Sequence, residues 1–278
     1  MKRLTLCADD FGQSEAISRG ILQLVAAGHL QAVSCLTESP VWPVMALRLK
    51  ALGGNHQTGL HFNLTHGFAT SAQGVDSVAT LAKCRAVDEL HPSSQAVGTL
   101  MLRALAHQLD GAGIRRRFIE QWLAFESYYG QPPAFVDGHQ HVHAFPQIRG
   151  IVIEEIRQRN PSAWLRVPHA SGFRPKVLVM RAMTAGLASN VKIAGLASNT
   201  RFAGFRPFCR GFNFALFFRR LLTTIDDSTL VMCHPGLAAE DPTDPIAHCR
   251  QVELDYFLSE QFGSDLAAAG VRGAHCVG

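Results

Sequence analysis

Short apolar runs alternate with amphipathic stretches along most of this chain. Residues 4–8, 32–36, 58–62, 134–136, 164–167 and 229–233 read as short buried strands, and 272–277 as a closing one. After the first run, Ile17, Ile21, Leu24 and Val25 recur at helical spacing, with Ser14 as a cap and Gly28 as a stop. Between residues 96 and 129, Leu100, Leu102, Leu105, Leu109, Ile114, Phe118, Trp122 and Phe125 continue a helical pattern. Gly111-Ala112-Gly113 interrupts it and predicts two helices. The segment 65–94 has weak periodicity and many small or polar residues, which predicts a long substrate-shaping loop. Strands alternating with helices predict an α/β fold, a parallel sheet with helical crossovers.

Composition narrows the class. The chain has 278 residues, 47% hydrophobic and 17% charged, which suits one globular domain spanning 1–278 with a large core. Met1-Lys2-Arg3 runs into about six strand-like residues and then into acids, so no signal-peptide core is expected. No apolar run reaches the roughly 18 residues of a membrane span. Seven scattered cysteines without a C-x-x-C pair read as the reduced thiols of a cytoplasmic protein. The net charge of +4 is modest, and no nucleic-acid-binding motif is present.

One segment stands apart: residues 156–225 contain no Asp or Glu. Within it, 201–220 interleaves arginines with Phe202, Phe205, Phe208, Phe212, Phe214, Phe217 and Phe218. The bland expectation is a helix with Phe inward and Arg outward. The alternative is a surface for an anionic or amphiphilic partner, including peripheral contact with the inner membrane surface. Apolar surface on the outer helices also permits a homodimer.

The candidate chemistry follows the strands. Asp9 and Asp10 end the first apolar run, and His61, His139 and His234 each stand at the end of another. In an α/β barrel the C-terminal strand ends converge on one face, so these residues can build one site. The division of labour expected has Asp10 holding a metal and Asp9 acting as general base, with the reverse as the alternative. His61 enters the pocket beside Asp10. Asp137-Gly138-His139-Gln140-His141-Val142-His143 places three histidines at every second position. His139, the first of them, is taken as the ligand, and His141 and His143 as outer hydrogen-bonding or substrate-contacting groups. Asp137 orients an imidazole, Arg166 holds Asp9 ionised, and His234 serves as general acid.

These residues also carry a resemblance. Ala8-Asp9-Asp10-Phe11-Gly12, Gly59-Leu60-His61-Phe62-Asn63-Leu64-Thr65, the His-rich motif with Phe145-Pro146, Cys233-His234-Pro235-Gly236 and Arg250-Gln251-Val252-Glu253-Leu254 occur in order. The set resembles the YdjC-like carbohydrate deacetylases, which include chitooligosaccharide and hopanoid-associated members. The resemblance implies a distorted, TIM-like (β/α) barrel with long loops over its C-terminal face. It implies removal of an N-acetyl group from an amino sugar, soluble or lipid-linked. It further implies one divalent metal held by an Asp of the opening pair, His61 and the first histidine of the His-rich motif. Family members are associated with magnesium, whereas two imidazoles and a carboxylate suit zinc. Two alternatives accompany this reading: a metal-dependent hydrolase of another ester, amide or phosphoester, and a catalytically silent protein binding glycan or membrane surface.

Overall fold

A computed structural model describes residues 1–68, 97–169, 175–239, 241 and 244–275. Strands β1 (Lys2–Phe11), β2 (Ala32–Cys35), β3 (Gln57–Phe62), β4 (Phe135–Gly138), β5 (Trp164–Leu165), β6 (Arg201–Ala203) and β7 (Thr229–Cys233) form one sheet in the order β5-β4-β3-β2-β1-β7-β6. Every pairing is parallel. Helices α1 (Glu15–Ala26), α2 (Trp42–Leu52), α3 (Val97–Leu105), α4 (Gly111–Tyr129), α5 (Ile148–Arg159), α6 (Pro175–Thr184), α7 (Leu187–Ile193), α8 (Phe214–Thr224), α9 (Ala247–Leu258) and α10 (Glu260–Ala268) make the crossovers and the C-terminal layer.

The sheet curls into a distorted barrel. Its outer strand β5 meets the segment just before β6 at a parallel bridge between Leu165 and Ser198, where the Leu165 N–H donates to the Ala197 carbonyl at 3.0 Å. The buried Asn199 side chain extends this seam. Its Oδ1 accepts from the Val167 N–H at 2.7 Å, and its Nδ2 donates to the Val167 carbonyl at 2.8 Å. A side-chain amide can imitate a strand partner because it offers one acceptor and two donors in a plane.

Alternation along the strands explains what lies on each side of the sheet. On β1, Leu4, Leu6 and Ala8 face the helices and join the main core, whereas Cys7 belongs to a second buried cluster. That cluster takes Cys7, Ala32, Phe135, Trp164, Phe202, Leu230 and Met232 from six different strands, which identifies it as the barrel interior. Gly59 of β3 is required there. A Cβ at that position would fall 2.5 Å from the Phe135 ring, which itself stacks on Trp164 with centroids 4.4 Å apart.

Several sequence expectations shift. Strand β6, at 201–203, lies in a stretch read only as Phe- and Arg-rich; three residues ending in Gly204 carry too little pattern to signal a strand. The last strand, β8 (Val271–Gly273), starts one residue before the expected 272–277, of which 276–277 lie outside the described residues, and pairs with the start of β1 instead of closing the barrel. The break between α3 and α4 falls before Gly111, because the Asp110 carboxylate caps α4 by accepting the Ala112 N–H at 3.0 Å. Ser14 does cap α1, which buries Ile17, Ile21 and Leu24. Residues 69–94 of the expected substrate-shaping loop lie outside the described residues, as do Cys84 and Cys276. Among the described residues, Cys7, Cys35, Cys209, Cys233 and Cys249 are free thiols, and no helix is long and apolar enough to cross a membrane.

Part of the Phe/Arg segment turns inward, while Arg201, Arg210, Arg219 and Arg220 stay exposed. Phe202, Phe214 and Phe218 are buried, and Arg206 pairs with Glu253 while lying over the Phe208, Phe212 and Phe214 rings. Phe208 is the most exposed aromatic of the segment, at 37%.

The seam gives a stability test. Replacing Asn199 with Ala removes both hydrogen bonds to Val167; the Val167 carbonyl keeps the His169 N–H, but the Val167 N–H is left buried and unpaired, so the change is expected to cost about 1–3 kcal/mol in urea unfolding. A loss below about 0.5 kcal/mol would show that the seam contributes nothing to stability.

Candidate active site

The C-terminal ends of the strands open into a cavity of about 310 Å³. Asp9, Asp10, His61, His139, His141 and His234 line it, with Gln13, His66, Phe205, Phe208, Met232, Asp244, Ile246 and Arg250 among their neighbours. A backbone irregularity brings both adjacent carboxylates inward. Strand β1 carries two residues between Ala8 and Phe11, Asp9 and Asp10, against one on β2, Ser34, between Val33 and Cys35, and Asp10 sits at φ 68°. The left-handed residue and the bulge cancel the alternation that would send Asp10 outward.

Asp9 and Asp10 then have separate environments. Asp9 receives a bidentate fork from Arg166, Nη1 to Oδ2 at 2.6 Å and Nη2 to Oδ1 at 2.7 Å. Asp10 turns Oδ1 toward two imidazoles, 3.0 Å from His139 Nδ1 and 3.4 Å from His61 Nε2. Burial alone would raise the Asp10 pKa. Arg250, His139 and hydrogen bonds from both imidazoles instead hold its carboxyl well below the usual range.

The expected support residues fall behind these groups. His61 and Asp137 are register partners on β3 and β4, and the Asp137 Oδ1 lies 2.6 Å from His61 Nδ1. Asp137 therefore orients His61 in particular, directing Nε2 toward Asp10. Asp137 also contacts Arg166 Nη2 at 2.5 Å and accepts from Ser34, a partner that one serine in an apolar strand does not announce. Arg166 and Asp137 are fully buried and outside the cavity lining, so both support the site from below.

The three histidines after β4 do not form a comb. Gln140 at φ 53° and His141 at φ 61° fold the backbone into a tight turn over 139–144, which aims each ring differently. His139 faces Asp10. His141 lines the cavity, edge-on to Phe202 and Phe205, and burial, His143 and Arg166 push its pKa well down. His143 is fully buried outside the cavity, and its Nε2 lies 2.9 Å from the Arg166 carbonyl, to which it donates. His234 extends β7 beside β1, with Phe208 edge-on to its ring at 5.4 Å; burial lowers its pKa.

Arg250, Asp244, Glu253 and His66 were not singled out from sequence. Arg250 and Glu253 stood in a matched motif without a role, but a charged pair on a helix usually marks a solvated face. Here both are buried.

The donor set fits a divalent ion. Asp10, His61 and His139 offer one carboxylate oxygen and two imidazole nitrogens, all within 4.8 Å of one another, and three such donors with open positions are what a catalytic metal needs. A curled parallel barrel with this triad at the C-terminal strand ends defines an α/β-barrel protein with a candidate catalytic metal centre.

The chain belongs to the YdjC-like protein family, whose model matches residues 3–268. It is 27% identical over 280 residues to a chitooligosaccharide deacetylase of Serratia marcescens, covering 97% of this chain and 96% of that one. It is also 29% identical over 161 residues to a human carbohydrate deacetylase, a match covering 56% of this chain and 45% of the human protein. The matched part thus spans less than half of the human relative. A solved structure from Enterococcus faecalis, described as a candidate cellobiose-phosphate cleavage protein, shares the fold with a TM-score of 0.71 at 16% identity, over 99% of this chain and 97% of that one.

His143 makes the site sensitive to acid. Burial holds its imidazole at about 4, below the 6.5 of a free histidine, despite the carboxylate of Asp137. The unfolded chain therefore binds a proton that the folded one does not, and stability falls as pH drops from 6.5 toward 4. His143→Asn, which keeps a donor for the Arg166 carbonyl, is expected to flatten the dependence of thermal unfolding on pH over that interval. An unchanged slope would assign the acid sensitivity to other groups.

Proposed function

We propose that this protein is a metal-dependent hydrolase that removes the N-acetyl group from an N-acetylated amino sugar. The observation that carries the proposal is the convergence of Asp10, His61 and His139 beside an Asp9 that Arg166 fixes, with His234 lining the same cavity. Family membership and the names of its curated relatives supply the substrate class.

Asp10, His61 and His139 would hold the ion. When bound, a divalent ion lowers the pKa of water and polarises an acyl oxygen. Two imidazoles and one carboxylate suit zinc or a similar transition metal; magnesium is the alternative.

The chain's own groups divide the proton traffic. Asp9 projects into the cavity without joining the donor triad, so it can take the proton of the attacking water. Arg166 fixes the plane of its carboxylate, which supports a base role for Asp9 and a ligand role for Asp10. His234 delivers a proton to the departing amine. Phe205, Phe208, Met232 and Ile246 offer apolar surface to the remainder of the substrate and exclude water, which suits a lipid-linked or otherwise amphiphilic acceptor. The exposed Phe208 and Arg210 would carry any membrane contact of the 201–220 segment. The five free thiols among the described residues suit the cytoplasm.

Acetate release from N-acetylated chitooligosaccharides and lipid-linked N-acetylglucosamine, using chelator-stripped enzyme resupplied with zinc, magnesium, manganese or cobalt, tests the reading. Release should require metal and vanish in His139→Ala. Asp9→Asn should keep its metal and lose about 10²–10⁴-fold in kcat. No acetate from any substrate, despite metal binding, would discard the deacetylase reading.

The His234 role has its own pH signature. Since burial sets its pKa below 6.5, the protonated form dwindles as pH rises through that lowered value. If His234 is the acid, kcat/KM should already be declining by pH 6.5 and continue to fall above it, and His234→Gln should remove the decline along with most of the rate. A rate that stays level to pH 8.5 in the unsubstituted enzyme would reassign His234 to a neutral hydrogen-bonding role.

A further inference from the structure

Helix α9 buries two oppositely charged side chains one turn apart, Arg250 and Glu253, at 2% and 0% exposure. The three-residue spacing places them on one face of the helix, and they reach two different parts of the site. Arg250 Nη2 donates to Asp10 Oδ2 at 2.9 Å, while its Nε and Nη2 donate to Asp244 on the cavity rim. Glu253 Oε2 accepts the backbone N–H of His234 at 2.7 Å, and its Oε1 pairs with Arg206. Arg206 in turn lies 4.4 Å over the Phe208 ring, which meets the His234 ring.

The backbone is shaped to admit this helix turn. The Gly236 N–H donates to the Arg250 carbonyl at 3.2 Å, and a Cβ on Gly236 would fall 3.1 Å from the Ile17 Cα and 3.3 Å from the Arg250 Cδ. The turn after β7 is thus pressed between α1 and α9. Since β1 and β7 are neighbours, with Ala8 opposite Cys233, the helix stands behind Asp10 and His234 together.

We propose that Arg250 and Glu253 are a pair of positioning residues with separable effects. Arg250 occupies one oxygen of Asp10 and so leaves the other to face the two imidazoles as a one-oxygen donor. Glu253 fixes the backbone at His234 and, through Arg206, the Phe208 wall against its ring. Each holds a different partner, so loss of one should leave the other function in place. The inference rests on the reading of Asp10 as a metal donor and His234 as a site group.

The test titrates zinc into chelator-stripped wild type, Arg250→Gln, Arg250→Lys and Glu253→Gln against a chromophoric chelator. Cooperative unfolding and the ring resonances of labelled histidines are followed in the same samples. Arg250→Gln is expected to weaken zinc about 10–100-fold, as loss of a hydrogen-bond partner of a ligating carboxylate generally does. Its His234 resonance should stay in place, and Arg250→Lys should recover part of the affinity. Glu253→Gln is expected to bind zinc within about twofold of wild type and to displace the His234 resonance. Wild-type zinc affinity in Arg250→Gln, or equal losses in both variants, would overturn the proposal. If Arg250→Gln does not fold, Arg250→Lys is read instead, and zinc affinity equal to wild type would count against it. Absence of acetate release by wild type would defeat the functional reading alone, since the zinc titration judges Arg250 independently.

Discussion

The rest of the site depends on one buried ion cluster, in which the Arg166 guanidinium lies between Asp9 and Asp137 with no exposure to solvent. Isolated buried charges are costly, and removing one partner of a buried pair typically costs about 3–5 kcal/mol. Arg166 offsets two carboxylates at once. One of them, Asp9, projects into the cavity, and the other, Asp137, sets the direction of His61. A single cation on β5's extension therefore fixes the proposed proton acceptor and, at second hand, a candidate metal donor. Arginine suits the position because its planar fork makes parallel bonds that a lysine ammonium cannot.

A second cluster of the same composition stands beside it. Arg250 lies between Asp10 and Asp244 as Arg166 lies between Asp9 and Asp137. The two adjacent aspartates of β1 are thus separated electrostatically, each with its own guanidinium. The bulge at Asp10 makes that separation geometrically available, since a regular strand would bury one carboxylate and point the other into the helix layer.

Much of this was legible in the chain because strand ends in a parallel barrel collect at one face. The apolar runs ending in Asp9-Asp10, His61, His139 and His234 pointed to candidate site residues, and alternating strand and helix patterns identified the α/β class. The structure brings the triad and His234 to one cavity, as that reasoning expects. What sequence pattern missed has physical causes. Strand β6 is too short to show a period. The turn at Gln140 and His141 uses left-handed backbone at residues with side chains, so alternation gives the wrong geometry there. Arg250, Glu253 and Asp244 were hidden because charge on a helix or loop signals solvent unless tertiary contacts bury it. In the Phe-rich segment the buried Phe202, Phe214 and Phe218 and the exposed Arg201, Arg210, Arg219 and Arg220 follow the expected Phe-inward, Arg-outward pattern, whereas Arg206 departs from it, enclosed by three aromatic rings.

The seven side chains that fill the barrel interior, from Cys7 and Ala32 through Phe135 and Trp164 to Met232, form a solid floor beneath the carboxylates. Such a floor leaves the mouth at the C-terminal face as the route for both arrival and departure. In the proposed reaction an acetyl group bound nearest that floor would leave acetate beneath the sugar, so the amine product would clear first and acetate would follow. Turnover would then depend on how readily the larger product vacates the doorway, a constraint set by barrel packing rather than by any group that touches the scissile bond.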